Sequence, residues 1–192
     1  MIFGTAVPSA GVRVQAGVAR ALVRSPADVW FYSGHGSRNG ALVIGPPFDP
    51  WMTPETLAAK WKGSSSGDLR VVIINGCYVL TRTRIGNAPS PAFRWSQLLR
   101  VRGGPLDCIL GYDDLAPKDV VPSLTGQPRG GGFVAREIAK YIAQTELKGD
   151  LAKKWIDINV KEGWWNAVAL TNLNYVDYDR TKGNESHPLP ES

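Results

Sequence analysis

The sequence predicts an α/β domain built on a mainly parallel central sheet, and three observations carry that prediction. Three short hydrophobic runs, Val29-Trp30-Phe31-Tyr32, Val71-Val72-Ile73-Ile74 and Leu106-Asp107-Cys108-Ile109-Leu110-Gly111-Tyr112, are strand-length and bounded by glycine or polar residues. The segments between and after them carry helical periodicity. Strands that alternate with helices are joined by right-handed crossovers, which lays them parallel with helices packed on the sheet.

Taken in order, residues 12 to 24 read as an amphipathic helix, with Val12, Val14, Val18, Leu22 and Val23 on one face, ended by Ser25-Pro26. Residues 28 to 33 form the first strand. Gly34, Gly36 and Gly40 then punctuate a loop, and Ala41-Leu42-Val43-Ile44 reads as a small strand beyond it. Thr53 is a helix cap with Pro54 at the first helical position, and apolar residues recur through Leu57, Ala58 and Trp61. Gly63-Ser64-Ser65-Ser66-Gly67 is a surface link. Strand 69 to 75 follows, then a polar loop over 81 to 91, then a helix from Ala92 to Arg100.

After the strand 106 to 112, residues 113 to 132 form the longest irregular stretch, rich in proline and glycine; a loop near this length is usually functional or mobile. Phe133 to Thr145 is the clearest helix, with Phe133, Ile138, Tyr141 and Ile142 on its apolar face, and Leu151 to Val160 is another. Val168 to Tyr175 reads as a last strand, and residues 177 to 192 as a polar, frayed tail.

The chain of 192 residues suits one domain over 1–192, with 1–27 as an abbreviated N-terminal part. The apolar stretches are too short and too interrupted for a membrane span. The opening Met1 to Pro8 has no basic residue ahead of its short apolar stretch, so no secretory signal is read and a cytoplasmic location is the default expectation. Net charge is +5, from 22 Lys and Arg against 17 Asp and Glu. The basic residues are scattered, without the stripe or patch that nucleic-acid binding needs, so no nucleic-acid partner is expected. Two cysteines, Cys77 and Cys108, fit a reduced interior better than a disulfide framework.

The chemistry concentrates at two strand ends. The first run leads into Ser33-Gly34-His35-Gly36 and the second into Asn75-Gly76-Cys77. If these strands are parallel neighbours, an imidazole and a thiol meet over the carboxyl ends of the sheet, where open α/β sheets bind ligands. That pair is a cysteine nucleophile and its base. A free thiol ionises near pH 8.5, so a neighbouring imidazole is needed to take its proton at neutral pH and to return one to a leaving amine. The backbone N–H groups of Gly36 and Cys77 are candidate donors to an oxyanion.

The bland readings compete with this one. Cys108 lies inside a strand and is core; the tryptophans, Trp30, Trp61, Trp164 and Trp165 among them, are core packing more than a stacking surface. His35, Cys77, Cys108 and His187 lack zinc-ligand spacing, so no metal and no other cofactor is expected. His35-Gly36-Ser37 is followed by no nucleophile elbow, which ranks a serine or dienelactone-type hydrolase third.

A hydrophobic strand ending in His35-Gly36, followed 42 residues on (77 minus 35) by a second ending at Cys77, resembles the clan CD cysteine peptidases. That clan includes caspases, metacaspases, legumain, clostripain, gingipains, separases and CHAT domains. Tyr112-Asp113-Asp114 and Lys118-Asp119-Val120 after the third strand are similar to the CHAT and separase stretch. The likeness covers residues 28 to 145. It implies a caspase-like α/β/α sandwich, a Cys77/His35 dyad with Gly36 at the oxyanion, a protein or peptide substrate, and cleavage after a specific P1 residue.

The resemblance also implies a further strand and helix ahead of His35, where only 34 residues stand; completion by a regulatory protein partner is one expectation. Asn75, two before the cysteine, stands where several basic-specific members carry an acid. A basic P1 side chain needs a carboxylate beside Cys77. Asp119 is the first choice, followed by Asp113 and Asp114, with Ser33 and Asn75 flanking the dyad. If arginine is accepted, Gln127-Pro128-Arg129-Gly130 is a loop suited to self-cleavage. The rival reading is an inactive or partner-regulated binding module on the same fold.

Overall fold

The structure is a computed structural model that describes residues 4–5, 28–43, 51–61, 69–100, 106–117, 130–172 and 174–189. Its strands are β1 (Gly4–Thr5), β2 (Val29–Ser33), β3 (Leu42–Val43), β4 (Trp51–Met52), β5 (Val71–Asn75), β6 (Cys108–Tyr112), β7 (Ala167–Thr171), β8 (Asn174–Asp179) and β9 (Gly183–Pro188). Its helices are α1 (Pro54–Trp61), α2 (Pro91–Leu99), α3 (Gly131–Thr145) and α4 (Leu151–Lys161). The expected helix over 12–24, the link at 63–67 and most of the 113–132 loop, including Arg129, lie outside the described residues.

Local chemistry explains where the helices begin. Thr53 Oγ1 accepts from the N–H of Thr56 at 3.2 Å, Ser90 from Phe93 at 3.3 Å and Asp150 from Lys153 at 2.9 Å. Each bond satisfies a donor that the first helical turn leaves without a partner. Helix α3 instead has Gly130 at its cap position, without a side-chain bond, and begins at Gly131, two residues ahead of the position read from its apolar pattern. It ends where Glu146 and Leu147 turn left-handed.

One sheet runs in the order β1-β2-β5-β6-β7-β8-β9, and β3 pairs with β4 beside it. The pairings from β1 to β6 are parallel, and those from β6 to β9 are antiparallel. The expectation of a mainly parallel sheet is therefore corrected to a mixed one. At the C-terminal end β8 and β9 are joined by a tight turn, which can only return a strand antiparallel, and β7 runs antiparallel to β6 after the two helices α3 and α4.

The strand read over Val168 to Tyr175 is two strands, β7 ending at Thr171 and β8 beginning at Asn174, and the supposedly frayed tail is a β8–β9 hairpin. Asp179 Oδ1 accepts from the N–H groups of Thr181 and Lys182 at 2.7 and 3.1 Å, and Gly183 takes φ +87°, which closes the hairpin.

Alternation along the strands sends side chains to two cores. Trp30, Tyr32, Val72, Ile74 and Ile109 pack with Leu57 of α1 and Trp95 and Leu98 of α2. Val29, Val71, Ile73, Leu110 and Tyr112 pack with Val134, Ile138 and Ile142 of α3 and Trp155 of α4. The chain is thus α/β with helices on both faces of a mixed sheet. Each fully buried large side chain contributes ~1.5–3 kcal/mol. Three buried aromatic tips find partners: Trp95 Nε1 donates to Gly40 O at 2.8 Å, Trp155 Nε1 to Gly111 O at 3.2 Å, and Tyr112 to Asn159 Oδ1 at 2.8 Å. Cys108 is core, and burial pushes its thiol up to about 12. No helix among the described residues is long and apolar enough to cross a membrane.

Candidate functional site

Strands β2 and β5 are parallel neighbours, with Ser33 opposite Asn75 at their last paired position. His35 lies two residues beyond Ser33 and Cys77 two residues beyond Asn75. The pairing therefore brings the chain segments that carry both residues to the same end of the sheet. Gly34 N–H donates to Asn75 O at 3.1 Å, extending the pairing past the strands.

Glycine makes the junction between the two loops. A β-carbon on Gly36 would collide with the carbonyl oxygen of Cys77 and come within 2.9 Å of its nitrogen. One on Gly76 would lie 3.4 Å from Gly34 O and Gly36 N. The backbone after His35 thus rests directly on the backbone of Cys77, an approach any side chain would block. Among the described residues no acceptor takes the N–H of Gly36 or of Cys77.

The His35 loop is held from behind. Its carbonyl accepts from Val43 N–H at 2.9 Å, and the Tyr32 hydroxyl faces both His35 O at 3.0 Å and Val43 O at 2.7 Å. Burial pushes the Tyr32 phenol up to about 12, against the lowering effect of its bond to Val43, so it stays a donor at physiological pH. His35 itself is exposed, whereas Cys77 is half-buried against the α3/α4 core.

The turn after Cys77 is fixed to the end of β6. Tyr78 N–H donates to Asp114 O at 2.8 Å and Leu80 N–H to Tyr112 O at 3.0 Å. Tyr78 takes φ +59°, a left-handed conformation that costs a non-glycine residue ~1–2 kcal/mol. Such strain gathers at functional sites, where the surroundings over-determine the backbone.

Beside this turn opens a cavity of about 530 Å³, lined in part by Arg38, Tyr78, Thr81, Arg84, Asp113 and Asp114. The Arg38 guanidinium lies 5.3 Å from the centre of the Tyr78 ring. Burial raises the Asp113 carboxyl above its ordinary range, with bonds from the Thr81 hydroxyl and the Arg82 backbone opposing the shift.

The sheet separates the expected substrate-binding residues into two groups. Ser33 and Asn75 continue the alternation of Phe31 and Ile73 toward α3 and α4. Asp113 follows Tyr112 on the opposite face, with Tyr175 of the α1/α2 core near enough to feel its charge. Asp119 lies outside the described residues.

On the first face, Asn75 Nδ2 donates to Ser33 Oγ at 3.2 Å, while Asn75 Oδ1 is buried without a partner among the described residues. Gly131, in the first turn of α3, approaches so closely that a β-carbon there would collide with the Asn75 amide. Gly131, Tyr32, Arg38 and Arg84 were not singled out from sequence. The Gly130-Gly131-Gly132 run was the one available signal, since three glycines allow close backbone approach. The left-handed Tyr78 carries no sequence signal.

Comparison of the chain with family models and with curated proteins finds no match in either.

Proposed function

We propose that this chain is a cysteine endopeptidase with a caspase-like α/β/α arrangement, in which Cys77 is the nucleophile and His35 the general base and acid. The observation that carries the reading is the equal offset of the two residues beyond hydrogen-bonded parallel strand ends, with Gly36 seated on the Cys77 peptide. In the first step His35 takes the thiol proton and the sulfur attacks the scissile carbonyl carbon. The oxygen that gains charge meets the N–H groups of Gly36 and Cys77. His35 then gives its proton to the leaving amine, and the carbon–nitrogen bond breaks. Water, deprotonated by His35, attacks the thioester carbonyl, and release of the acid restores the thiol.

Two features bear on the substrate. Asp113 and Asp114 line the cavity next to Tyr78, which favours a basic P1 side chain. Arg38 and Arg84 share that cavity, so a basic group must approach the acids on a path that avoids both guanidiniums. Both free thiols, Cys77 and Cys108, fit a reducing cytoplasmic setting.

Labelling of Cys77 by a thiol-directed acyl-type inhibitor is the test, read together with turnover of Arg, Lys, Asp and Asn fluorogenic peptides. Cys77→Ala abolishes labelling, and His35→Ala slows it by at least a hundredfold. Turnover of Asp peptides alone removes the basic P1 assignment. Absence of labelling and turnover in every state, including with cellular partners added, replaces the enzyme by a binding module.

A further inference from the structure

We infer that the β8–β9 hairpin carries a binding site for a divalent transition ion of the zinc class, formed by Asp177, Glu185 and His187. The site stands apart from the dyad and does not depend on the peptidase reading.

Asp177 and Glu185 are directly opposite each other in the antiparallel register, and His187 lies two residues beyond Glu185 on the same face. One oxygen of each carboxylate and one imidazole nitrogen all fall within 4.8 Å of one another. His187 Nε2 is 3.2 Å from Asp177 Oδ1 and 3.7 Å from Glu185 Oε2. The three side chains are only 32, 25 and 31% exposed.

Like charges directly opposite on neighbouring strands destabilise a sheet, and here they are partly shielded from water, so the pair calls for a cation. A single imidazole nitrogen faces both carboxylates and can donate to only one at a time. Lys182 neutralises part of the charge, but it approaches Glu185 Oε1 at 2.9 Å and leaves Oε2 to face the imidazole. Bonds of 2.0–2.2 Å from a tetrahedral ion set its ligand atoms ~3.3–3.5 Å apart. The two separations from His187 bracket that spacing, and the two carboxylate oxygens lie within 4.8 Å of each other, so side-chain rotation brings all three groups onto one ion.

The donor set names the ion. Imidazole with carboxylates suits zinc and its neighbours, whereas calcium and magnesium take oxygen ligands alone. Three protein ligands leave a position for water or a further group. Bound there, the ion clamps the edge strand β9 to β8. It also lies beside Tyr175, whose ring is 6.5 Å from that of His187.

The experiment is calorimetric titration of the full chain with Zn²⁺, in a Cys77→Ala background so that the thiol cannot bind the metal with His35. One ion per chain and a higher Tm with Zn²⁺ are expected, with binding weakened at least tenfold by His187→Ala and by the near-isosteric Asp177→Asn. Circular dichroism checks that each variant is folded, and Glu185→Gln stands in for one that is not. Cobalt substitution gives a second readout, visible absorption bands that disappear in the same variants. No uptake of Zn²⁺, uptake unchanged by loss of His187, or uptake of Ca²⁺ in preference to Zn²⁺ overturns the inference.

Discussion

The Asn75 amide donates to the Ser33 hydroxyl at 3.2 Å, tying together the two strand ends from which Cys77 and His35 depart. The bond spans 42 residues of sequence and is the last side-chain link between β2 and β5 before the chain turns toward the proposed base and nucleophile. Asn75 is 5% exposed whereas Ser33 is exposed, so the link is shielded from water on the Asn75 side only. The geometry of the proposed dyad therefore rests on what surrounds this pair, which substitutions at Tyr32, Gly36 and Gly131 probe, while Asp113 tests the far face of the sheet.

Tyr32→Phe removes the hydroxyl that faces the carbonyls of His35 and Val43. The hydroxyl has one proton to share between them and His35 O keeps its bond from Val43 N–H, so one partly buried hydrogen bond is lost, at a cost of ~1–3 kcal/mol. In a domain of this size that reads as a Tm lowered by about 2–12 °C. The labelling rate of Cys77 falls further than that of a control destabilised equally at a remote core position. Equal rates in the two proteins would show that Tyr32 does not position His35.

Gly36→Ala places a methyl group where the Cys77 carbonyl already lies. Backbone must move, since the obstructing atom is not the end of a flexible side chain, and overpacking of this kind costs ~1–3 kcal/mol. Thermal unfolding checks the stability, and inhibitor labelling shows whether the two loops have separated. Retained stability with wild-type labelling contradicts the close approach.

Gly131→Ala drives a methyl group into the Asn75 amide and pushes the start of α3 away from the sheet edge. A loss of ~1–3 kcal/mol is expected from chemical denaturation. Asn75→Ala, introduced second, recovers part of it by removing the obstructed amide. A double mutant no more stable than Gly131→Ala alone would place the clash elsewhere.

Asp113 titrates above the ordinary aspartate range because burial opposes its charge. The unfolded chain therefore releases this proton at lower pH than the folded one. The protonated form favours folding fully below the ordinary range, and that contribution is lost as pH rises through the raised value. Asp113→Asn, always neutral, is accordingly more stable than the parent at pH 7. The difference in Tm shrinks as pH falls and approaches zero below about pH 4, the ordinary aspartate value. A difference that does not vary with pH contradicts the assigned burial effect.

Much of the scaffold was legible because local rules governed it. The three hydrophobic runs could only be buried strands, and Thr53-Pro54 and the periodicity over 133–145 marked helices whose apolar faces had to meet a sheet. Cys108 was readable as core because its neighbours are. The β8–β9 hairpin was not legible, because its strands are polar and half-exposed, and the signal that pairs them is a turn around Asp179 and Gly183. Gly131 was visible as part of a flexible run, yet nothing local revealed that Asn75 would lie against it.

The sequence by itself determined that His35 and Cys77 follow buried strands, because alternation, strand length and glycine punctuation act over a few residues. Only the tertiary structure decided that those strands are neighbours in register, that Asn75 and Asp113 face opposite sides of the sheet, and that Asp177, Glu185 and His187 converge. Each of these depends on which strand pairs with which, and that pairing is set by burial summed over the whole sheet.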